Sequence, residues 1–220
     1  MIRAVLFDMD GTLFDTEGVY RCAWRAACRF VGHEERADEV IRVVTGRNNT
    51  DIERYFKEIF GEDFDYAPMR EYKNRVIEEI IRRDGLRLKP GVPEVFDVLH
   101  ERGILCAVAS STSPYRVEWF LSESGIDKKS DLILSGGCVE HSKPAPDVFL
   151  LAAEKLGVAP DECLVAEDSE NGVLAGYAAG MRVVFVKDLM DLSPKAEAAV
   201  WRAPKTLEAL PDLIDSINNS

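Results

Sequence analysis

A chain of 220 residues is long enough for one compact core with an appendage and short for two independent domains. With 46% hydrophobic and 30% charged residues it can bury a core and is neither disordered nor fibrous. Its 27 Lys and Arg against 39 Asp and Glu leave a net charge of −12, which repels phosphate backbones and anionic lipid, so neither nucleic acid nor a membrane is an expected partner.

The apolar run Ile2 to Phe7 is too short for the core of a signal peptide and ends in Asp8, so it reads as a buried strand, and a cytoplasmic location is expected. From about Thr16 to Leu88 only helical patterns follow, at Tyr20 to Val31, Ala37 to Val44, Thr50 to Phe60 and Met69 to Arg83. This stretch is predicted to be an inserted lid, and the turn-forming Leu88-Lys89-Pro90-Gly91 marks the return to the main fold. Beyond it, helical patterns at Val92 to Glu101, Tyr115 to Glu123, Asp147 to Leu156 and Asn171 to Ala179 alternate with apolar runs at Ile104 to Ala109, Leu132 to Leu134, Cys163 to Ala166 and Val183 to Val186. Gly103, Gly125, Gly157 and Gly180 stand where helices should terminate, and Leu207 to Ile217 reads as a final amphipathic helix.

Alternation of strand and helix predicts an α/β fold: a Rossmann-like parallel sheet core with helices on both faces, plus an inserted α-helical cap. The expected division is residues 1–15 and 89–220 for the core and 16–88 for the cap. Five cysteines, odd in number and without C-x-x-C, argue against disulfides or a zinc knuckle. His33, His100 and His141 lack metal-site spacing and read as surface or capping residues. There is neither a G-x-x-x-x-G-K-[ST] loop nor an H-E-x-x-H helix, so a P-loop nucleotidase and a zinc hydrolase are unsupported.

In such a sheet the chemistry gathers at the carboxyl ends of the strands. Asp8-Met9-Asp10-Gly11-Thr12 follows the first strand, and Glu167-Asp168 follows Leu164-Val165-Ala166, so two acidic pairs are expected at one edge. Four converging carboxylates repel one another unless a cation sits among them, and hard oxygen donors without His or Cys favour Mg²⁺. Ser110-Ser111-Thr112 closes a third strand with small hydroxyls, and Lys143, kept out of helix by Pro144, offers countercharge for phosphate.

These four elements, in this order and with a helical insertion after the first, resemble the haloacid dehalogenase superfamily of phosphotransferases along nearly the whole chain. The cap, the Glu-Asp pair and the Lys-Pro-x-Pro run are most similar to the subgroup containing β-phosphoglucomutase and small sugar-phosphate phosphatases. The resemblance implies that Asp8 is the nucleophile, forming an aspartyl-phosphate, and that Asp10 is the general acid and base. It implies Mg²⁺ held by the Asp8 carboxylate, the Asp10 main-chain carbonyl and Asp168, with Glu167 direct or through water. Ser110 and Lys143 would hold the phosphoryl oxygens, helped by the Met9 and Ser111 backbone amides.

Cap residues are expected to select the substrate, the candidates being Tyr20, Trp24, Gly46, Arg47, Lys73 and Asn74. Gly46-Arg47 resembles a Gly-Arg pair of related caps that grips a distal anionic group, and Lys73-Asn74 resembles a pair reading sugar hydroxyls in the mutase. Tyr20, where the mutase group carries histidine, and Thr12 favour water over a sugar as acceptor. The expected activity is a Mg²⁺-dependent phosphatase acting on a small phosphorylated metabolite, a sugar or sugar-acid phosphate, with β-phosphoglucomutase activity as the alternative and a catalytically silent binding protein behind both. No larger partner is expected, and the chain should be a monomer or weak homodimer.

Overall fold

The computed structural model describes residues 1–45, 47 and 49–219. Five strands, β1 (Ala4–Phe7), β2 (Leu105–Ala109), β3 (Leu132–Leu134), β4 (Cys163–Glu167) and β5 (Arg182–Phe185), form one parallel sheet in the order β3-β2-β1-β4-β5. β1 is central and wholly buried, as a strand with helices on both sides must be. Its side chains alternate: Val5 and Phe7 join one core cluster, Ala4 and Leu6 the other. On the first face Phe7 stacks on Phe96 at 4.7 Å between ring centres; on the second, Leu6 packs with Phe149 and Val165.

Four helices follow β1: α1 (Glu17–Phe30), α2 (Ala37–Val44), α3 (Asn49–Phe60) and α4 (Tyr66–Asp84). They share a core of their own in which Trp24, Val40, Ile41, Phe56, Tyr66 and Met69 are buried. Phe56 is its centre, with Trp24 at 5.9 Å and Tyr66 at 5.2 Å between ring centres, a burial contributing on the order of 1.5–3 kcal/mol. This is the helical cap. Where the chain leaves the sheet and returns, the two crossings run side by side: Phe14 and Leu88 form an antiparallel bridge, Asp15 N–H donates to Arg87 O at 2.9 Å, and Lys89 N–H donates to Leu13 O at 2.8 Å.

The remaining helices, α5 (Val92–Glu101), α6 (Pro114–Ser124), α7 (Asp147–Leu156), α8 (Glu170–Ala178), α9 (Pro194–Glu197) and α10 (Leu210–Asn218), cover the sheet. α1 and α4 begin three residues earlier than the apolar spacing indicates, α4 because the Asp65 side chain accepts from Ala67 N–H at 3.1 Å. α9, four residues long, has too few turns to show periodicity and was not expected. Beyond it Arg202 O accepts from Phe185 N–H at 2.9 Å and protects the β5 edge. Among the described residues no helix is long and apolar enough to cross a membrane.

Candidate active site

Register brings the chemistry together. Phe7 lies opposite Val108 and Ala166, so the residues after β1, β2 and β4 emerge side by side at one edge of the sheet, and Asp8 N–H donates to Ala166 O at 3.0 Å. Asp8 therefore stands next to Glu167 and close to the end of β2. Lys143, in the loop between β3 and α7 and preceding a cis Pro144, reaches them from below. Its ammonium donates to Asp8 Oδ1 at 2.5 Å, Glu167 Oε1 at 2.8 Å and Ala109 O at 3.0 Å, and it is 1% exposed. Glu167 Oε2 accepts from Asp168 N–H, Ser169 N–H and the Ser169 hydroxyl at 2.8–2.9 Å, so both of its oxygens are committed. Ser169 in turn caps α8, accepting from Gly172 N–H at 3.1 Å.

Asp168 is fixed by the Thr12 hydroxyl, which donates to Oδ1 at 3.0 Å. It approaches the backbone so closely that a Cβ on Gly11 would lie 2.1 Å from its Oδ2, and Gly11 has φ of +86°. Asp8, Glu167 and Asp168 each offer an oxygen within 4.8 Å of the others, a group able to hold a metal ion. Burial first, then Lys143 opposing it and Glu167 adding to it, moves the Asp8 carboxyl up to about 8. Asp168 is likewise raised by burial and by Glu167 and Asp8. Burial works against the Lys143 charge, but Asp8 and Glu167 more than offset it. One ammonium among three buried carboxylates leaves negative charge uncompensated, and an all-oxygen donor set of this kind suits a hard divalent cation.

Asp10 departs from the expectation of four converging carboxylates. The turn at Gly11 and the bridge between Asp10 and Phe14 direct its side chain to two hydroxyls, Thr16 Oγ1 donating to Oδ1 at 2.9 Å and Thr112 Oγ1 to Oδ2 at 2.6 Å. Ser110, 3% exposed, accepts from Thr112 N–H at 3.0 Å in a local turn. The Met9 and Ser111 backbone N–H groups have no acceptor among the described residues.

A cavity of about 380 Å³ opens over Asp8 and Asp10 and is walled on its far side by the cap. Tyr20, Trp24, Arg47, Lys73 and Asn74 all line it, as do Ser110 and Ser111; Gly46 lies outside the described residues. Arg47 is exposed at its rim. Trp24 is buried and packs on Phe56, serving the cap core and the cavity wall together. Lys73 is a buried side chain, not a solvated helix charge, and its ammonium lies 4.4 Å from the centre of the Trp24 ring. Core and cap meet beside the cavity where Asn171 Nδ2 donates to Thr45 O at 2.9 Å, and where the Ser142 hydroxyl donates to Asp51.

Sequence reasoning missed Thr16 and Arg116. Thr16 stands at the N-cap position before Glu17, a visible signal, although its hydroxyl serves Asp10 and not the helix. Arg116 lies within a helical stretch and carries none. Gly172 matters because a Cβ there would fall 1.6 Å from Glu167 Oε1. His100 and His141 are exposed, beside Asp131 and Asp147 at 3.0 Å, whereas His33 is half-buried with its ring stacked on Phe60.

Residues 2–180 match the haloacid dehalogenase-like hydrolase family profile. The chain is 32% identical over 215 residues to the phosphorylated carbohydrates phosphatase of Thermotoga maritima, covering 95% of this chain and 97% of that one. It is 32% identical over 183 residues to the fructose-1-phosphate phosphatase YqaB of Escherichia coli, covering 83% and 95%. Among solved structures, a β-phosphoglucomutase from Clostridium difficile superposes with a TM-score of 0.84 at 24% identity, over 100% of this chain and 98% of the other, a likeness of fold.

Proposed function

Because this chain belongs to the haloacid dehalogenase-like hydrolases and is a phosphomonoester hydrolase, we propose that it hydrolyses a small sugar or sugar-acid phosphate through attack by Asp8. The observation carrying this reading is the pairing of a buried carboxylate and ammonium, Asp8 and Lys143, with a second carboxylate, Asp10, held by hydroxyls on the same cavity wall. Residues 16–88 form the cap that selects the substrate.

In the first half-reaction an Asp8 carboxylate oxygen bonds to phosphorus as the bond to the leaving oxygen breaks. Asp10, protonated, gives its proton to that oxygen, which departs as an alcohol. In the second, Asp10 takes a proton from water, the water oxygen bonds to phosphorus, and the Asp8 carboxylate and inorganic phosphate are released. The Thr16 and Thr112 hydroxyls hold Asp10 in line for both transfers. Lys143 places positive charge beside the transferring group, and Ser110 supports its oxygens once the local turn bond to Thr112 is exchanged. Mg²⁺, held by the Asp8 and Asp168 carboxylates and the Asp10 carbonyl, would supply the charge that lets a carboxylate meet a phosphate dianion. The four hydrogen bonds already made to Glu167 favour its contact with that ion through water.

Phosphorus NMR of the protein with Mg²⁺ and a panel of sugar phosphates, including β-glucose 1-phosphate with a trace of bisphosphate, tests the reading. Inorganic phosphate should accumulate, stop on chelation and be absent with Asp8→Asn. Conversion of β-glucose 1-phosphate to glucose 6-phosphate without phosphate release would make the protein a mutase.

A further inference from the structure

Among the hydrogen bonds that join the cap to the core, two end beside the buried pair Lys143 and Glu167. Asn171, in the first turn of α8, donates through Nδ2 to Thr45 O at 2.9 Å, and the Ser142 hydroxyl donates to Asp51 in the first turn of α3. Thr45 closes α2, so its carbonyl is one that the helix leaves without a partner of its own, and Asn171 supplies it. A third contact comes from α6, which carries no member of the pair: Arg116, 6% exposed, donates to Asn74 Oδ1 at 3.3 Å with its guanidinium 5.9 Å from the Tyr20 ring centre.

Position in the chain makes the first two contacts informative. Ser142 is the residue before Lys143, whose ammonium holds Asp8 and Glu167. Asn171 stands between Ser169, whose N–H and hydroxyl both donate to Glu167 Oε2, and Gly172, where a Cβ would fall 1.6 Å from Glu167 Oε1. One tie therefore reaches the ammonium through a single peptide unit, and the other reaches the carboxylate through the N-cap of α8. On the cap side, Thr45 and Asp51 bracket the connection between α2 and α3, which carries Arg47 at the cavity rim. Lys143 and Glu167 are so closely packed that a displacement of their neighbours is passed on to them rather than absorbed.

We infer that Asn171 and Ser142 are positioning residues: the connection between α2 and α3, seated on them, sets Lys143 and Glu167 against Asp8, so that the charge facing the phosphoryl group is in place only under a seated cap. This rests on the phosphoryl site proposed above and adds a link from the cap to the reacting groups. A latch that merely holds the cap down would use the same bonds differently, acting on substrates gripped by the cap and on the Asp10 proton, and not on the attack at phosphorus.

p-Nitrophenyl phosphate separates the two roles, because it offers the cap no sugar and its leaving group needs least from Asp10. With Mg²⁺ present, kcat/KM for this substrate reports the attack on phosphorus. It is expected to fall roughly tenfold in Asn171→Ala and in Ser142→Ala, the scale of one hydrogen bond, while Ser142→Thr, which keeps the hydroxyl, recovers most of the loss. Circular dichroism should show both alanine variants folded, and if one is not, the other carries the test. An unchanged kcat/KM on p-nitrophenyl phosphate, even with sugar phosphates turned over more slowly, overturns the inference and leaves a latch, with the phosphoryl site standing. A loss shared in full by Ser142→Thr overturns it as well, since the hydroxyl would then not be the link. No hydrolysis of p-nitrophenyl phosphate or of any sugar phosphate by the wild type removes the phosphoryl site and the positioning role with it.

Discussion

Lys143 Nζ lies 2.8 Å from Glu167 Oε1, and the two side chains retain 1% and 0% of their accessible surface. Glu167 does not need to touch substrate to matter, since it fixes the ammonium beside Asp8. Glu167→Gln is expected to cost about 3–5 kcal/mol of stability, as breaking a buried pair does. It should also lower kcat by roughly 10²-fold through displacement of Lys143. Urea denaturation and p-nitrophenyl phosphate hydrolysis measure the two effects.

Gly172 shows how little room surrounds this pair. A Cβ there would lie 1.6 Å from Glu167 Oε1 and 1.8 Å from its Cδ, so Gly172→Ala must expel the carboxylate or shift the start of α8. A melting point lower by several degrees and a loss of kcat comparable with Glu167→Gln are expected. A variant as active as wild type would show that Lys143 keeps its place without Glu167.

Thr112 donates to Asp10 Oδ2 at 2.6 Å and contacts neither Asp8 nor Lys143 in any hydrogen bond. Thr112→Val keeps the shape and removes the donor. It is expected to reduce kcat by about tenfold, the scale of one hydrogen bond, with a smaller change in KM. Steady-state kinetics on a substrate with a poor leaving group should show the loss most clearly, because on the proposed mechanism that step most needs the Asp10 proton.

Lys73 makes stability depend on pH. Its ammonium has an ordinary value of 10.5 and is pushed down to about 7, with burial the main cause, Arg116 and Arg70 adding to it and Asp10 opposing. The unfolded chain therefore binds this proton more readily than the folded one between those values, and folded stability falls as pH drops from 10.5 to 7. Lys73→Met should raise the melting point in the absence of ligand, with a larger gain at pH 7 than near pH 10. Calorimetric scans at the two values check the sign. An equal gain at both would mean that the ammonium bears no burial penalty.

Much of this architecture can be read in the amino acids. β1, β2, β4 and β5 are continuous apolar runs because helices cover both their faces, and each run ends where polar chemistry begins, so Asp8 and Ser110 are found one step past their strands and Glu167 as the last residue of β4. Lys143 stands out only because a Lys-Pro pair interrupts the alternation. Lys73 and Arg116 are another matter. Both lie on helices among other charged residues, and nothing in their spacing separates a solvated cation from one buried against Trp24 or Tyr20. That distinction is made by how the cap packs over the core, a relationship between segments far apart in the chain. Asp10 is similar: its motif places it at the sheet edge, but the partners that turn it from the other carboxylates arrive from Thr16, just before α1, and from the loop after β2.

The paired crossings at Phe14 and Leu88 have an evolutionary meaning. Because the chain departs and returns at neighbouring points already joined by backbone hydrogen bonds, whatever lies between them is a cassette: it can lengthen, diverge or be swapped without altering the register of a single strand. On the proposed reading, in which the cap selects the substrate, selection can rewrite recognition while the residues at the sheet edge are inherited intact. A graft that joins these two points to the cap of a relative should accordingly transfer preference and leave the chemistry behind.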